Sequence, residues 1–282
     1  MVTDMPPDAP PSDVAATLPA RARLSINRCN LPPVILGSLT FQAHPQAIEI
    51  DGVRTFHADL FARLGALDDA RDRARQFQDY MAVKFRLNEP EDAGGEKGRS
   101  RTKADYLRVL RGWFFDSDAR EGAVFKSWAE SRFGLITQHH KGIIHDPDDP
   151  LLELFQRDRA RGLHNTNALE SQLDLVHAYC QWELARRFPE KTHVILYRGV
   201  NRLNAFEVLD KQDATHQVML FNNVNSFTAD RDMAGAFGDY ILTVRIPFSK
   251  ILFFSGLLPG HMQGEDEYIV LGGVYAVETA TF

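Results

Sequence analysis

An arginine closes the first apolar run in the last third of the chain, where HVIL is followed by Tyr197-Arg198-Gly199. A guanidinium at the end of a buried strand is costly to desolvate unless it meets an anion. Arg198 could pair with a carboxylate at a sheet edge, which would be a structural role. Its planar fork could instead grip a phosphate or orient a ligand. Taken alone, the residue favours the structural interpretation.

Two hydroxyl residues end a second strand-like run, in Asn225-Ser226-Phe227-Thr228. Because side chains alternate across a strand, Ser226 and Thr228 are expected on one face and Phe227 on the other. The hydroxyls could simply cap a short helix that begins near Asp230. They could also hold a catalytic carboxylate in one rotamer.

Three consecutive carboxylates, Glu265-Asp266-Glu267, precede the apolar run YIVLGG, in a turn that we expect to be exposed. On an extended chain Glu265 and Glu267 share a face, about 7 Å apart. Their repulsion disfavours the doubly ionised pair unless a cation or a cationic substrate is near. The run is therefore either a solvated acidic turn or a paired-carboxylate site. Asp266 points away and is expected to be structural or solvated.

The elements that must position these residues change in character along the chain. Residues 1–20 predict a disordered tail, 21–188 a mainly helical part, and 189–282 a strand-rich core, together one compact unit. Runs of helices followed by runs of strands indicate an α+β fold. Helices are predicted at 68–87, 103–115, 167–188 and 230–237, with short extended pieces within 26–56 and a polar loop at 88–100. The aromatic residues of the first two helices are expected to be core: Phe77, Phe85, Tyr106 and Trp113.

Composition narrows the possible classes of function. A net charge of −6 argues against a general affinity for nucleic acid. No apolar run approaches the roughly 18 residues of a membrane span, and the acidic, proline-rich start does not resemble a signal peptide, so we expect a cytoplasmic protein. Cys29 and Cys180 lie far apart without ligand spacing, and we expect Cys180 to be buried. His139 and His140 are expected in a partly exposed polar turn, not in a metal site.

In this order, Arg198, Ser226–Thr228 and Glu265–Glu267 resemble the R-S-E signature of arginine-directed mono-ADP-ribosyltransferases. Over about nine-tenths of its length, including RTKADYLRVLRGWFF and HNTNALESQLDLVHAYCQWE, the chain is similar to the dinitrogenase reductase ADP-ribosyltransferase family. The resemblance implies an ADP-ribosyltransferase-like β-sandwich with an NAD cleft, on which the helical part packs. It also implies that NAD⁺ is consumed as a substrate. The helical part is then the expected place of target or partner recognition.

The resemblance also implies a role for each site residue. Glu267 would stabilise the ribosyl cation, with its carboxylate held by Ser226, and Glu265 would orient the acceptor guanidinium and take its proton. Arg198 would steady the dinucleotide, and Phe237 would pack beside the nicotinamide or its ribose. The full set of NAD-binding positions is Arg198, Gly199, Ser226, Phe227, Thr228, Phe237 and Glu267.

The implied acceptor is an arginine of the nitrogenase iron protein, which would be switched off in regulation of nitrogen fixation. A PII-type signalling protein is the implied regulator. No metal is expected, and Gly235-Ala236-Phe237-Gly238 has the wrong spacing for a dinucleotide fingerprint. Two alternatives stay open. An NAD⁺ glycohydrolase would leave Glu265 without a task, and an inert binding module of the same fold would not need a repelling carboxylate pair.

Overall fold

The computed structural model describes residues 17–87, 104–164, 166, 168–203, 206–260 and 266–281. The predicted tail up to residue 16, the predicted loop at 88–100 and the predicted catalytic residue Glu265 lie outside these ranges. Leu18, within the predicted tail, is buried and belongs to the hydrophobic core.

Helices occupy most of the described chain before residue 188. Their bounds are α1 Pro33–Leu36, α2 Leu39–Ala43, α3 Val53–Phe56, α4 Ala58–Gly65, α5 Ala70–Lys84, α6 Tyr106–Phe115, α7 Arg120–Phe133, α8 Pro150–Leu163, α9 Leu169–Arg187 and, within the strand-rich part, α10 Arg231–Gly235. Three-residue 3₁₀ turns lie at Ala20–Ala22, Phe248–Lys250 and Ser255–Leu257. Within the described ranges, no helix combines the length and apolar character that a membrane crossing requires.

Helix α6 shows how local sequence sets these elements. It begins after Asp105, whose carboxylate accepts a hydrogen bond from the Arg108 amide and so satisfies one of the free N–H groups of the first turn. Its apolar residues recur at three- and four-residue steps, which places them on one buried face. These buried residues are Tyr106, Val109, Leu110 and Trp113.

The strands form one antiparallel sheet of order β2-β3-β1-β4-β6-β5. Their bounds are β1 His193–Val200, β2 Glu207–Lys211, β3 His216–Thr228, β4 Tyr240–Pro247, β5 Ile251–Phe254 and β6 Glu267–Thr281. Strand β6 pairs along its length with β3, and its other edge pairs first with β5 and then with β4. Because β1 also pairs with both β3 and β4, these four strands close a circuit. The α+β prediction is confirmed at this level.

The helical part and the sheet share one hydrophobic core. The Gln181 amide on α9 donates hydrogen bonds to the carbonyls of Phe248 and Ile251, at 3.1 and 2.6 Å. On α2, the buried Gln42 side chain donates to the Arg245 and Ala276 carbonyls and accepts from the Ala276 amide. These side-chain hydrogen bonds attach helices α9 and α2 to the strand-rich part.

The prediction of extended pieces within 26–56 is wrong at two places. Pro33 begins α1, because a proline at the first helical position has no N–H to lose and a preset φ. Gly52 adopts a φ of +75° immediately before α3, a conformation that favours glycine. Helices α2, α4, α7 and α8 and strand β2 were not predicted. Helix α7 is buried around nearly its whole circumference and carries buried charges, so its sequence shows no clean apolar stripe.

Candidate active site

A cleft of about 980 Å³ lies where the C-terminal ends of β1 and β3 meet the start of β6. Elements of both parts of the chain line it, including the end of α6 and the segment between α7 and α8. Every predicted site residue within the described ranges is among its lining residues: Arg198, Gly199, Ser226, Phe227, Thr228, Phe237 and Glu267. Glu265 lies outside those ranges.

Strand register places Glu267 beside the two hydroxyl residues. Thr228 pairs with Tyr197 of β1 on one side and with Glu267 of β6 on the other. Because directly opposed residues share a face, and residues two apart on a strand also do, Glu267 lies on the face of Thr228 and Ser226. Phe227 packs on the other face, with its ring 5.8 Å from that of Phe221, as alternation predicts.

Glu267 is the first residue of β6 and only 7% exposed. The expectation of an exposed turn is therefore wrong for this residue, because pairing with β3 already includes it. Asp266, one position earlier, is exposed, as expected for a solvated side chain. The two neighbouring carboxylates thus have opposite environments, and only Glu267 lines the cleft.

The Arg198 guanidinium does not use all of its hydrogen-bond donors. Its Nη1 donates to the Ser226 carbonyl at 2.7 Å, whereas its Nε has no hydrogen-bond partner in the described part of the chain. Burial lowers the pKa of Arg198, while the negative charges of Glu267 and Asp118 act in the opposite direction. A desolvated guanidinium with an unused donor is the arrangement that an anionic ligand would complete.

The Ser226 hydroxyl accepts a hydrogen bond from the indole Nε1 of Trp113, at 2.9 Å. Trp113 is 3% exposed and packs edge-on against Phe125, so the prediction that it belongs to the core is confirmed. Its polar edge nevertheless reaches the predicted site. Sequence reasoning missed this contact, because the apolar stripe shows which face of α6 is buried but not what the indole N–H meets.

An ion pair between Asp118 and Lys126 forms a further wall of the cleft. Lys126 is 1% exposed, and its Nζ lies 2.7 Å from the Asp118 carboxylate and 3.0 Å from the His139 carbonyl. Although burial acts against it, hydrogen bonds from His139 and Lys126 hold the pKa of Asp118 well below its usual range. Neither residue was predicted, since a carboxylate in a loop and a lysine in a helix are ordinary surface residues in a sequence.

The two adjacent histidines have different environments. The His139 side chain is 45% exposed, as predicted for a polar turn. His140 is fully buried, so the prediction is wrong there. Its ring packs against Phe155, and its Nε2 lies 3.4 Å from the Asp158 carboxylate. Burial and the nearby Lys126 charge lower the pKa of His140.

A β-bulge in β3 ties the sheet to the segment that follows α7. The register shifts between Phe221 and Val224, which frees Asn222 from regular pairing. The Asn222 side chain accepts from the Gln138 amide at 2.8 Å and donates to the His139 carbonyl at 3.1 Å. Opposite it, a Cβ on Gly272 would lie 1.6 Å from the Asn222 carbonyl oxygen, so only glycine fits.

Gly199 allows α10 to approach the end of β1. A Cβ at this position would lie 1.9 Å from the Ala234 carbonyl oxygen. Helix α10 begins after Asp230, whose carboxylate caps it, while the Thr228 hydroxyl accepts from the Asp230 amide. The close packing leaves Phe237, just beyond the helix, in the cleft lining and 55% exposed.

The two cysteines and the possible metal ligands are the remaining candidates from the sequence. Cys180 is fully buried, as predicted, and burial raises the pKa of its thiol. Cys29 is half-buried, and both cysteines are free thiols. The ranges that the structure describes contain no cluster of three or more His, Cys, Asp or Glu side chains placed to hold a metal ion.

Comparison with known proteins agrees with the resemblance found in the sequence. The family model of dinitrogenase reductase ADP-ribosyltransferase matches residues 26–279. A curated relative from Rhodospirillum rubrum, named NAD(+)–dinitrogen-reductase ADP-D-ribosyltransferase, is 39% identical over 263 residues, which cover 91% of this chain and 95% of the relative. No solved structure matches the chain. The predicted family is confirmed, and the chain belongs to the dinitrogenase reductase ADP-ribosyltransferase family.

Proposed function

We propose that this protein transfers ADP-ribose from NAD⁺ to an arginine of dinitrogenase reductase and thereby inactivates it. One observation carries the proposal. Arg198, Ser226 and Glu267, which come from three different strands, line a single cleft. The name of the R. rubrum relative supports the same donor and acceptor.

The closed strand circuit would serve as the β-sandwich core of an ADP-ribosyltransferase, with the cleft as its NAD site. A volume of about 980 Å³ suits a dinucleotide, since ligand pockets commonly span about 300–1,000 Å³. The unused Nε of Arg198 would donate to a phosphate or ribose oxygen. The exposed ring of Phe237 would pack beside the nicotinamide or its ribose, with Gly199, Phe227 and Thr228 completing the wall.

Glu267 would carry the first chemical step. The bond between the ribose C1′ and the nicotinamide nitrogen breaks, its electron pair leaves with neutral nicotinamide, and positive charge develops on the sugar. A buried carboxylate stabilises this charge strongly, because little water remains to screen it. Ser226 would hold the Glu267 carboxylate in position, since accepting from Trp113 leaves its own O–H to donate.

The acceptor step needs a second carboxylate. A protonated guanidinium is a poor nucleophile, so the attacking nitrogen must lose a proton as its bond to C1′ forms. We assign this task to Glu265, which lies two residues before Glu267 in the sequence. The bulky, negatively charged ADP-ribose would then block association of the modified protein by steric overlap and like charge.

The wider setting is also part of the proposal. The enzyme would act in the cytoplasm, consume NAD⁺ as a substrate, and regulate nitrogen fixation through the state of its target. A PII-type protein would control its activity. The helical part, residues 21–188, would recognise the target, because every residue assigned to NAD⁺ lies in the strand-rich part.

The test uses NAD⁺ labelled in its ADP-ribose, incubated with the full-length protein with and without dinitrogenase reductase. We expect label on the acceptor protein, bound to an arginine identified by mass spectrometry, with nicotinamide released in equal amount. Label found only as free ADP-ribose would instead identify a glycohydrolase. An absence of nicotinamide release under both conditions would identify an inert binding module.

A further inference from the structure

Phe115 is the most exposed large hydrophobic residue in the described part of the chain. It is the last residue of α6, and 93% of its surface faces solvent. Its neighbours are enclosed: Trp113 is core, and the Phe114 ring lies 6.0 Å from that of Phe253. Phe115 nevertheless borders the cleft, and its exposure places the ring on the rim, apart from the residues assigned to NAD⁺.

Two further exposed apolar side chains line the same cleft. They are Ile143, 40% exposed, and Phe237, 55% exposed. The three residues come from separate places in the chain, and we refer to Phe115, Ile143 and Phe237 together as the cleft-mouth patch. Exposed apolar side chains gathered around a concave site are typical of a surface that another protein covers.

The patch rests on fixed backbone. After α6, the Asp116 carboxylate accepts from the Asp118 amide, and Asp118 is held by the buried Lys126. Ile143 forms an isolated bridge with His139, whose carbonyl accepts from the Asn222 side chain. Because neither segment needs to be ordered on contact, little conformational entropy is lost when a partner binds.

We propose that the cleft-mouth patch is the docking surface for the acceptor protein, with Phe115 and Ile143 covering the apolar residues around its target arginine and Phe237 marking the boundary with the proposed nicotinamide position. This inference rests on the proposed function. A guanidinium on another protein can reach the ribose only through the cleft mouth, so the protein surface around it must lie against this rim. The exposed Asp116, next to Phe115 and also in the cleft lining, supplies negative charge that complements the incoming guanidinium.

The test compares Phe115→Ala with Phe56→Ala. Phe56 is a matched control, because it is 82% exposed on α3 and does not line the cleft. Two quantities are measured for the wild type and both variants. The first is the KM for dinitrogenase reductase in the transfer reaction at saturating NAD⁺. The second is direct binding of dinitrogenase reductase to the immobilised enzyme without NAD⁺.

We expect Phe115→Ala to raise the KM for the acceptor and to weaken direct binding by about tenfold or more, as loss of an aromatic anchor does at an interface. The KM for NAD⁺ and kcat at saturating acceptor should stay within twofold of wild type. Phe56→Ala should match the wild type in every measurement.

Unchanged acceptor KM and unchanged binding in Phe115→Ala would overturn the docking proposal. So would a fall in kcat with unchanged acceptor KM, because Phe115 would then belong to the NAD site. The direct binding measurement separates the two proposals. If the wild type binds the acceptor through Phe115 but transfers nothing, the docking surface stands and the proposed function fails.

Discussion

The indole Nε1 of Trp113 and the Oγ of Ser226 lie 2.9 Å apart, and this hydrogen bond joins the helical part to the predicted site residues of β3. A serine hydroxyl has one proton to donate, and its lone pairs accept. With one lone pair occupied by the indole N–H, rotation of the hydroxyl is restricted. The hydroxyl keeps its own proton to donate, and Ser226 lies on the strand face that also carries Glu267.

Trp113→Phe should therefore lower kcat by about tenfold while leaving the KM for NAD⁺ nearly unchanged, since one hydrogen bond contributes on the order of 1 kcal/mol. The decisive measurement is a double-mutant cycle with Ser226→Ala. If Trp113 acts through Ser226, its replacement has no further effect on kcat once the hydroxyl is absent. Fully additive losses would show that Trp113 only supports packing.

Glu267→Gln should abolish both transfer and NAD⁺ hydrolysis. The amide keeps the shape of the side chain but removes the charge that, in the proposed mechanism, stabilises the sugar cation. Losses of such stabilisation reach about 10²- to 10³-fold in kcat. Nicotinamide release with and without acceptor measures both reactions, and circular dichroism checks that the variant is folded. Retention of either reaction at wild-type rate would contradict the role assigned to Glu267.

Glu265→Gln should separate the two reactions. We expect transfer to arginine to be lost while part of the NAD⁺ hydrolysis remains, because only the acceptor needs this carboxylate as a proton acceptor. The ratio of protein-bound to free labelled ADP-ribose is the quantity to measure. An equal loss of transfer and hydrolysis would mean that Glu265 and Glu267 do not have separate roles.

Gly199→Ala should destabilise the fold by at least about 3 kcal/mol, because the new methyl group would overlap the Ala234 carbonyl, 1.9 Å away. Urea unfolding gives the change in free energy. Gly65→Ala is the matched control. A Cβ on Gly65 meets no atom within 4 Å, and alanine is favoured over glycine in a helix. Similar stability of the two variants would contradict the close packing of α10 on β1.

His177 should make the fold sensitive to mild acid. Complete burial lowers the pKa of His177 from 6.5 to about 4, so between these values the unfolded chain binds a proton that the folded chain does not. Stability is thus fully present above pH 6.5 and falls as the pH drops towards 4, by on the order of 3 kcal/mol. His177→Phe should lose less free energy of unfolding than wild type between pH 7 and 5. If the free energy of unfolding changed with pH equally in the two proteins, the prediction would be contradicted.

Strands β1 and β3 could be predicted with their observed bounds, because turn residues or prolines separate apolar runs rich in β-branched and aromatic residues. The runs EYIVLGGVYAV and VETATF look like two strands in the sequence, yet they belong to one strand, β6. Within β6, Gly272 accommodates the bulge at Asn222 and Gly273 accommodates a close approach of Gly37. Such contacts depend on segments far away in the sequence, which no local pattern reveals.

The Arg, Ser and Glu positions of the cleft could be predicted because their order along three strands is a sequence property. The residues that surround these positions in the cleft could not be predicted. Lys126 and Asp118 are far from these motifs in sequence, and each resembles a surface charge until burial brings them together. Helix α8 is a different case, since Asp149 and Pro150 form a helix start signal that the sequence itself carries.

Gln42 has a consequence for how the protein is made. Its buried amide completes its hydrogen bonds only with Ala276, 234 residues later. At about 5–20 residues per second, a ribosome needs about ten to fifty seconds to synthesise that interval. During this time the apolar face of α2 has no sheet to cover it, so newly made chains would depend on chaperones until the last strand emerges.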